Sequence, residues 1–476
     1  MPGHEPTATE TTLAEAVARG EVADYGTAGT KEQASDGDRW GSDRSVSGKL
    51  LSALIADADA NCAAAGTGIR LRGARITDEL SLAGRKIPFP LVLIDCYFDN
   101  PLILRDSQVQ SIVLTGSRVA GVDADRISVE TDMLLSGVMA VGQVSLREAQ
   151  IGGDLSGLGG SFESACGCAF SADAAAINGH LLMCNGFSAR GEVSIRKSRI
   201  GGALYCAHAI FECPDGLALV LDDIDCASNV VFSNGFKARG QVSLQRARLG
   251  GLLYCDHGSF ESPGHIALDA EQAVIAKSVF LSNWFSAKGA VRLTDATIRG
   301  DLNCIGGIFE NPDGDALHAV SIAVEGNIRL HTRFLARGRL RFDHAVIGGS
   351  LNCGGATFEN PQGMALSATN ARIGRNVALN DGFRALGEIS LAAAHIGNAL
   401  FCTEGRLDNP GGNALSVESA TIGGDVLLNG GFQAKGSVSL INTTITGALD
   451  CADARFESAD ALVTAGAVIG QGIRRV

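Results

Sequence analysis

From about Gly68 onward, the chain reads as short apolar alternations interrupted by glycine, Asn-Pro pairs and aspartate. This pattern predicts short strands joined by corners. From about residue 137 it becomes periodic at 49 residues, and a fixed period of this length indicates a repeat architecture. The recurring opening of each repeat resembles GFSARGEVSI and starts at Gly137, Gly186, Gly235, Trp284, Arg333, Gly382 and Gly431.

Each repeat divides into two unequal copies of one template. Ile396, Ile422 and Ile445 occupy the same apolar position, which gives alternating steps of 26 and 23 residues. Steps of this size suit single turns of a parallel β-helix. A β-propeller is the structural rival, but its antiparallel blades do not require two near-identical halves. The predicted fold is an all-β solenoid, a right-handed parallel β-helix with a short N-terminal helical cap.

The N-terminal region is predicted to differ from the solenoid. Residues 1–45 form a partly disordered extension, in which Thr12 and Glu15 offer a capping box for a short helix that ends near Gly20. Residues 46–66 form a capping helix that covers the first turn. The β-helix spans residues 67–476. The helix is predicted from apolar residues on one face, namely Val46, Leu50, Leu51, Leu54, Ile55 and Ala58.

The 13 cysteines follow the repeat instead of a disulfide framework. Cys304 aligns with Leu330 in the next turn and with Cys353 in the turn after that, so the core column alternates cysteine and leucine. Two turns correspond to about 9.6 Å, which is beyond the reach of a disulfide. These thiols are predicted to be buried core residues. Cys166 and Cys168 are a weak metal candidate, and no metal site or cofactor is predicted.

The net charge of -13 argues against direct nucleic-acid binding but allows mimicry of DNA. Acidic residues at 49-residue intervals, such as Glu310 and Glu359, alternate with bases such as Arg337, which predicts a ladder of ion pairs along one edge. No apolar run is long enough to cross a membrane, and no signal peptide is recognisable. The chain is expected to be cytoplasmic.

The repeat loses its consensus between Trp284 and Ala345, and the candidate site residues lie there. The Asn-Gly-Phe corner becomes Trp284-Phe285 in one repeat and His331-Thr332-Arg333-Phe334 in the next, followed by RGRLRFDH. Loss of a turn glycine gives up an unstrained positive-φ conformation, so selection for a function is a hypothesis. The catalytic candidates are His331, His344, Asp343 and Asp295, and the ligand-binding candidates are Trp284, Arg333 and Arg341.

Asp295, Ser321 and His344 fall in one polar column, but their order does not form a catalytic triad. Common motifs for dinucleotides, nucleoside triphosphates and hydrolases are absent from the sequence. The C-terminal stretch ALVTAGAVIGQGIRRV has no helix to cover it, which predicts a homodimer through the uncapped last turn.

The motifs IGGxLxC, FENPxG and GFxAxGxVSL together resemble a family of actinobacterial repeat proteins that is often labelled membrane-associated oxidoreductase. The resemblance covers the chain from about Trp40 to the end. It implies a pentapeptide-repeat-like β-helix, and its motifs are structural, so it carries no catalytic residue onto this chain. Pentapeptide-repeat proteins are more distantly similar, and some of them protect topoisomerases by mimicking DNA.

Three functional hypotheses remain open at this point. The first is a non-catalytic scaffold that presents an elongated face to a protein partner. The second is an enzyme of secondary metabolism that performs acid-base chemistry, such as isomerisation, cyclisation or elimination, on a small molecule in a groove near Trp284, His331, Asp343 and His344. The third is a DNA-mimic topoisomerase protection protein.

Overall fold

The computed structural model describes residues 7–26, 34–61, 68–457 and 461–474, without the side chains of residues 58–61, 165 and 166. The chain divides into two compact units, Met1–Ser228 and Asn229–Val476. Both are parallel β-solenoids, with about 17 turns in total and 7% helix. The predicted parallel β-helix with N-terminal helices is therefore confirmed.

The capping box of the first helix consists of Thr7 and Glu10, earlier in the chain than the predicted Thr12 and Glu15. Helix α1 spans Ala8–Arg19, and the Thr7 hydroxyl accepts the N–H of Glu10 while the Glu10 carboxylate accepts the N–H of Thr7, at 3.2 and 3.0 Å. The predicted capping role of Thr12 is wrong, because Thr12 lies inside the helix and its hydroxyl donates to the carbonyl of Ala8. Gly20 ends the helix in a left-handed conformation, as predicted.

The N-terminal extension contributes to the solenoid earlier than residue 67. Strand Val22–Asp24 pairs in parallel with Ile69–Arg72, although residues 22–24 carry no strand-like run of their own. The main-chain ladder forms there because the hydrogen bonds need only backbone groups, which any sequence except proline supplies. Short 3₁₀ helices follow at Ala34–Arg39 and Ser42–Arg44.

Helix α2 spans Gly48–Asn61, within the predicted 46–66, and residues 62–66 lie outside the described part of the chain. Val46 belongs to a short strand that precedes the helix, while Leu51 and Ile55 are buried. Gly48 lies so close to the next turn that a Cβ there would stand 2.7 Å from the carbonyl oxygen of Asp78. The N-terminus of α2 is therefore packed directly against the solenoid.

The strands of the first unit are mostly short, and strands of seven or more residues recur once the regular repeats begin. In chain order they are Val22–Asp24, Ser45–Val46, Ile69–Arg72, Arg75–Ile76, Lys86–Ile94, Tyr97–Phe98, Leu102–Ile103, Gln108–Val113, Arg118–Val119, Val122–Asp123, Ser128–Val129, Met133–Leu134, Met139–Ala140, Val144–Ser145, Gln150–Ile151, Leu155–Ser156, Ser161–Ser171, Ala176–Ile177, Leu181–Leu182, Ser188–Ser194, Arg199–Ile200, Leu204–Tyr205, Ile210–Val220 and Asp225–Cys226.

In the second unit, long strands alternate with pairs of two-residue strands. In chain order they are Val230–Val231, Lys237–Ser243, Arg248–Leu249, Leu253–Tyr254, Ser259–Asp269, Val274–Ile275, Val279–Phe280, Ser286–Arg292, Thr297–Ile298, Leu302–Asn303, Ile308–His318, Ala323–Val324, Ile328–Arg329, Leu335–Arg341, Val346–Ile347, Leu351–Asn352, Thr357–Ser367, Arg372–Ile373, Val377–Ala378, Arg384–Ser390, His395–Ile396, Leu400–Phe401, Arg406–Ser416, Thr421–Ile422, Val426–Leu427, Gln433–Ser439, Thr444–Ile445, Leu449–Asp450, Arg455–Phe456, Leu462–Val463, Val468–Ile469 and Ile473–Arg474.

Each turn contains four β segments, because a long strand supplies two of them. In one turn these are Val346–Ile347, Leu351–Asn352, and the two ends of Thr357–Ser367. We call the corner between the second and third segments the glycine corner, and the corner between the fourth and first segments the polar corner. Ile396 pairs with Ile422, and Ile422 pairs with Ile445, so the predicted steps of 26 and 23 residues are confirmed.

The core of the second unit consists of columns of identical or similar side chains. The rings of Phe236, Phe260, Phe285 and Phe309 follow one another with centroids 5.1 to 5.4 Å apart. Cys304, Leu330 and Cys353 occupy one buried column, as predicted. The cysteines of the described residues are free thiols, and burial raises the pKa of the Cys304 and Cys353 thiols far above the ordinary range.

Candidate functional site

The glycine corner requires a left-handed backbone, and Trp284 and Arg333 carry a side chain at a corner position that is glycine in equivalent turns. Gly382 and Gly431 have φ values of 78° and 88° at this corner. Trp284 and Arg333 occupy the same position with φ values of 68° and 65°. A side chain with a Cβ pays about 1–2 kcal/mol for this conformation, so these two residues are not the choice that folding alone favours.

Trp284 is held on a fixed backbone with its side chain in solvent. The preceding Asn283 donates its side-chain amide to Asp256 at 2.6 Å, and the following Phe285 is fully buried. The indole itself is 71% exposed, the largest exposure among the large apolar side chains of the described residues. The corner therefore presents an aromatic ring to solvent on a backbone that packing anchors on both sides.

His331 lies at the glycine corner, next to Arg333. Its Nδ1 is 2.8 Å from the Thr332 hydroxyl. Burial of the ring lowers the pKa of His331, and the charge of Arg329 lowers it further. The imidazole is therefore neutral at pH 7, and its hydrogen bond to the neighbouring hydroxyl fixes the ring.

Asp295 and His344 belong to the polar corner instead. Both have a left-handed backbone, with φ values of 54° and 59°, in a column that also contains Ser321 at 56°. The main-chain N–H of Asp295 bonds to the turn of Ser321, whose own N–H bonds to Asp343 beside His344. Asp295 and His344 are thus two turns apart, or about 9.6 Å, and both are exposed. Their polarity matches the tolerance of short polar residues for this backbone region.

Six of the seven candidate residues therefore separate into two groups. Trp284, His331 and Arg333 lie at the glycine corner, whereas Asp295, Asp343 and His344 lie at the polar corner. The seventh, Arg341, is the last residue of the strand that leads to the polar corner. Strand Leu335–Arg341 connects the two corners within one turn. The sequence suggested one groove for Trp284, His331, Asp343 and His344. These residues do not share a groove, because strand Leu335–Arg341 separates the glycine corner from the polar corner.

The structure does bring Arg341 and Asp343 together. Arg341 donates from Nε to Asp343 at 3.2 Å and lies 3.6 Å from Asp315. Asp343 also accepts from the Ser367 hydroxyl and, at 3.1 Å, from the main-chain N–H of Thr369. The Asp343 carboxylate is thus fully engaged by donors on its own turn and the next.

Sequence reasoning missed a run of charged residues in the fourth segment. Ser390, Ser416 and Ser439 hold the same outward position in later turns, and four earlier turns replace serine by a charged or titratable residue. We call this set the charged column, and its members are Asp269, Arg292, His318 and Arg341. Alignment of the two halves of each repeat at the serine of GxVSL was the signal that could have found it.

Asp269 is the most buried member of the charged column, with 0% of its side chain exposed. It accepts two hydrogen bonds from Arg292 and one from Gln245 at 2.8 Å. Hydrogen bonding to Asp269 raises the pKa of Arg292. A carboxylate this deeply buried requires such partners, because an unpaired buried charge is costly.

Asp315 contacts two members of the charged column, His318 and Arg341. Its carboxylate contacts His318 Nδ1 at 2.8 Å and Arg339 Nε at 2.5 Å. Burial raises the pKa of Asp315, but the hydrogen bonds from His318 and Arg339 outweigh it and lower the pKa overall. Asp315 is therefore ionised at neutral pH and holds Arg339 and Arg341 on one face.

Two open grooves lie beside the polar corner, and His344 lines both. One has a volume of about 420 Å³ and includes Arg339, Arg341 and Asp343. The other has a volume of about 750 Å³ and includes Arg372 and His395. The carboxylate in the first groove is already bound by arginine, so this groove presents paired charges to solvent.

The predicted ladder of ion pairs is present along the third segment. Arg337 bridges Glu310 and Glu359 at 2.5 and 3.0 Å, and Lys435 pairs with Asp408 at 3.5 Å. Leu386 interrupts the ladder in the turn between Glu359 and Asp408. Because the acids of this edge alternate with bases, the ladder does not form the continuous negative face that DNA mimicry requires.

Within the described residues, no group of three or more histidine, cysteine or acidic side chains is arranged to hold a metal ion. Cys168 lies 3.5 Å from the carbonyl of Phe170, and the side chain of Cys166 lies outside the described set. No helix in the described part of the chain combines the length and apolar character of a membrane span.

Comparison with protein families, with curated proteins and with solved structures gives no match. The resemblance to the actinobacterial repeat proteins therefore stays a prediction, and function has to be argued from the residues themselves.

Proposed function

We propose that this protein is a non-catalytic β-solenoid scaffold that binds a protein partner through the glycine corner of its second unit. The observation that carries the proposal is Trp284, which is 71% exposed on a left-handed backbone. Both properties disfavour tryptophan at this position as far as folding is concerned. Tryptophan and arginine are the residues most often found at the energetic centre of protein interfaces.

Arg333 supplies a charged second contact on the same corner. It lies two turns from Trp284, or about 9.6 Å away, and the corner of the turn between them contains Gly306, which aligns with Asn283 and Thr332. Because glycine has no side chain, Gly306 places none between the indole and the guanidinium. A partner with an apolar pocket for Trp284 and an acidic group for Arg333 fits this arrangement.

Two features favour binding over catalysis. The four catalytic candidates are divided between two corners, whereas general acid-base chemistry needs its groups within hydrogen-bond reach of one substrate. Asp343 is already engaged by Arg341, Ser367 and Thr369. A solenoid instead offers a long, repetitive surface, which many repeat proteins use for recognition.

Site-specific photocrosslinking tests the proposal. A benzophenone side chain is placed at position 284 or 333, and at Glu404 as a matched control, because Glu404 also has positive φ, 61°, at the glycine corner of another turn. We expect one crosslinked protein that is shared by positions 284 and 333 and not formed at 404. Absence of a shared product, or equal crosslinking at 404, contradicts the proposal.

The purified partner is then titrated against variants. Trp284→Gly is expected to weaken binding at least about tenfold, since central tryptophans commonly contribute about 2 kcal/mol or more. Glu404→Gly relieves the same kind of backbone strain and is expected to leave the affinity unchanged. In a Trp40→Phe background, Trp284 is the single tryptophan, and its emission should shift to shorter wavelength on binding. Equal affinity of wild type and Trp284→Gly excludes this surface.

We also propose that a second copy of the chain covers the last described turn. Ile473 is 42% exposed there, although Leu449, its partner in the preceding turn, is fully buried. An edge that pairs with the same edge of another copy makes a self-complementary dimer. Sedimentation should show a dimer that Ile473→Lys disrupts, while Val346→Lys, an exposed valine in an earlier turn, leaves it intact. A wild-type monomer at micromolar concentration contradicts this.

A further inference from the structure

We propose that the groove bounded by His344, Asn370, Arg372 and His395 binds a small molecule through a phosphate or carboxylate group. This groove lies at the polar corner and on the first segment of the turns. It is separate from the glycine corner, so the inference does not depend on the proposed partner surface.

The register of the solenoid brings the donors together. Arg372 pairs directly with Val346 on one side and with His395 on the other, so these outward side chains follow one another at about 4.8 Å. His344 and Asn370 occupy successive positions of the adjacent corner, where the N–H of His344 bonds to the carbonyl of Thr369. Residues far apart in sequence thus form two neighbouring rows.

The chemistry of the lining favours an anion. The polar side chains are a guanidinium, an amide and two imidazoles, and the lining contains no aspartate or glutamate. The groove lacks acidic side chains although the chain as a whole has a net charge of -13. Guanidinium groups suit phosphate and carboxylate in particular, because their planar donors match two oxygens at once.

Arg372 differs from the arginines of the neighbouring groove. Arg339 and Arg341 each contact an aspartate, at 2.5 and 3.2 Å. No carboxylate of the described residues lies within ion-pair distance of Arg372, and its side chain is exposed. The donors of Arg372 are therefore directed to solvent and can accept a ligand without breaking an internal pair.

Small residues leave room for that ligand. Ala371 is buried, and Ala393 occupies the left-handed position of the polar corner where His344 and Asn370 stand in earlier turns. Ala393 therefore places no long side chain at the corner beside His395. The groove volume of about 750 Å³ accommodates an organic anion as well as an inorganic one.

Calorimetric titration of the full chain tests the site with inorganic phosphate, pyrophosphate and citrate, with potassium chloride at matched ionic strength as the reference. We expect saturable binding of at least one oxyanion at one site per chain. Arg372→Ala should weaken it about tenfold or more, since a hydrogen bond to a charged group contributes about 1.5–3 kcal/mol. Arg375→Ala, an exposed arginine three residues on that does not line the groove, should leave the affinity unchanged.

The separate arms decide what the site recognises. Tight binding of pyrophosphate without citrate assigns a phosphate ligand, and the reverse assigns a carboxylate. Trp284→Gly should leave anion binding unchanged, which separates this site from the glycine corner. Absence of saturable binding for all three anions, or equal loss in Arg372→Ala and Arg375→Ala, overturns the proposal.

Discussion

Two stretches of the second unit share one backbone and differ in what they place on it. The turns from Ser259 to Arg341 carry Trp284 and Arg333 at their glycine corners and charged residues in the fourth segment. The turns from Gly382 to Ser439 carry glycine and serine at the same positions. Register and corner geometry are the same in both. A solenoid therefore tolerates large changes in its outward residues, provided that the inward columns are kept.

The difference also shows which turns contain features that lower the stability of the fold. In the regular turns, glycine adopts positive φ without strain, and serine needs little to satisfy its hydroxyl. In the irregular turns, the buried carboxylate of Asp269 depends on Arg292, and Trp284 and Arg333 occupy left-handed positions that are glycine in the regular turns. These features cost free energy locally, which is why we look for their function in binding.

The largest expected effect comes from breaking the buried pair. Asp269→Ala leaves Arg292 without its main partner, and we expect a loss of about 3 kcal/mol, at the low end for buried pairs because Arg292 is 28% exposed. Ser416→Ala, at the equivalent position of a regular turn, should cost about 1 kcal/mol or less. Urea unfolding midpoints of the two variants measure the contrast. Equal shifts would mean that the charged column is no more demanding than the serine column.

The glycine corner predicts opposite signs for two reciprocal changes. Trp284→Gly should stabilise the fold by about 1 kcal/mol, because it relieves a left-handed side chain. Gly382→Ala should destabilise it by about 1 kcal/mol through the backbone alone, since a Cβ at Gly382 meets no atom within 4 Å. Thermal unfolding of both variants checks this. A loss of stability in Trp284→Gly would show that the indole packs on the corner.

The two stretches should also respond oppositely to acid. The pKa of Asp315 is lowered, so its contribution is present above the unfolded pKa and is lost as pH falls through the folded value. The pKa of Glu388 in the regular turns is raised, by burial and then by Glu418. That acid destabilises once ionised, so acidification through its folded pKa favours the fold. Effects below about 1 kcal/mol are expected for these partly exposed groups.

Hydrogen exchange, corrected for intrinsic rates, measures that response. Between pH 7 and pH 4, the turns around Glu388 should become better protected, and Glu388→Gln should remove this gain. Below about pH 4, near the unfolded pKa of aspartate, the turns around Asp315 should lose protection. The same direction of change in both stretches would contradict the assignment.

The smallest expected effect concerns the ion-pair ladder. Leu386→Arg would restore a base between Glu359 and Asp408 and should stabilise the fold by a few tenths of a kcal/mol. The gain should vanish at high salt because exposed pairs are screened. Leu386→Gln serves as the uncharged control. An equal gain with glutamine would assign the effect to removal of an exposed leucine.

Much of the fold was predictable because apolar inward residues recur once in every turn. The isoleucine steps, the cysteine and leucine column and the ladder of Arg337 were all read from spacing, and the structure confirms them. The capping box at Thr12 was wrong because a second box, Thr7 to Glu10, lies closer to the chain start. The sequence did not predict the strand at Val22–Asp24, because this strand forms by main-chain pairing and has no apolar pattern.

The candidate site was only half predictable. The sequence located the irregular turns and named Trp284, Arg341 and Asp343 within them. It did not find Asp269, Arg372 or His395, because each looks like an isolated departure from a repeat when read along the chain. Their partners come from turns 23 or 26 residues away, so the clusters become visible only when the outward columns are aligned.

By itself, the sequence determined the solenoid, its register and its buried columns, because a side chain that faces the core must recur at every turn. Only the tertiary structure decided which outward residues meet. His331 and His344 are close in sequence and lie at different corners, whereas Arg372 and His395 are further apart and pair directly. The physical reason is that hydrogen bonding between successive turns places residues 23 or 26 positions apart side by side on the surface. Along the chain, a strand leads from one corner to the next, so residues that are close in sequence can lie at different corners.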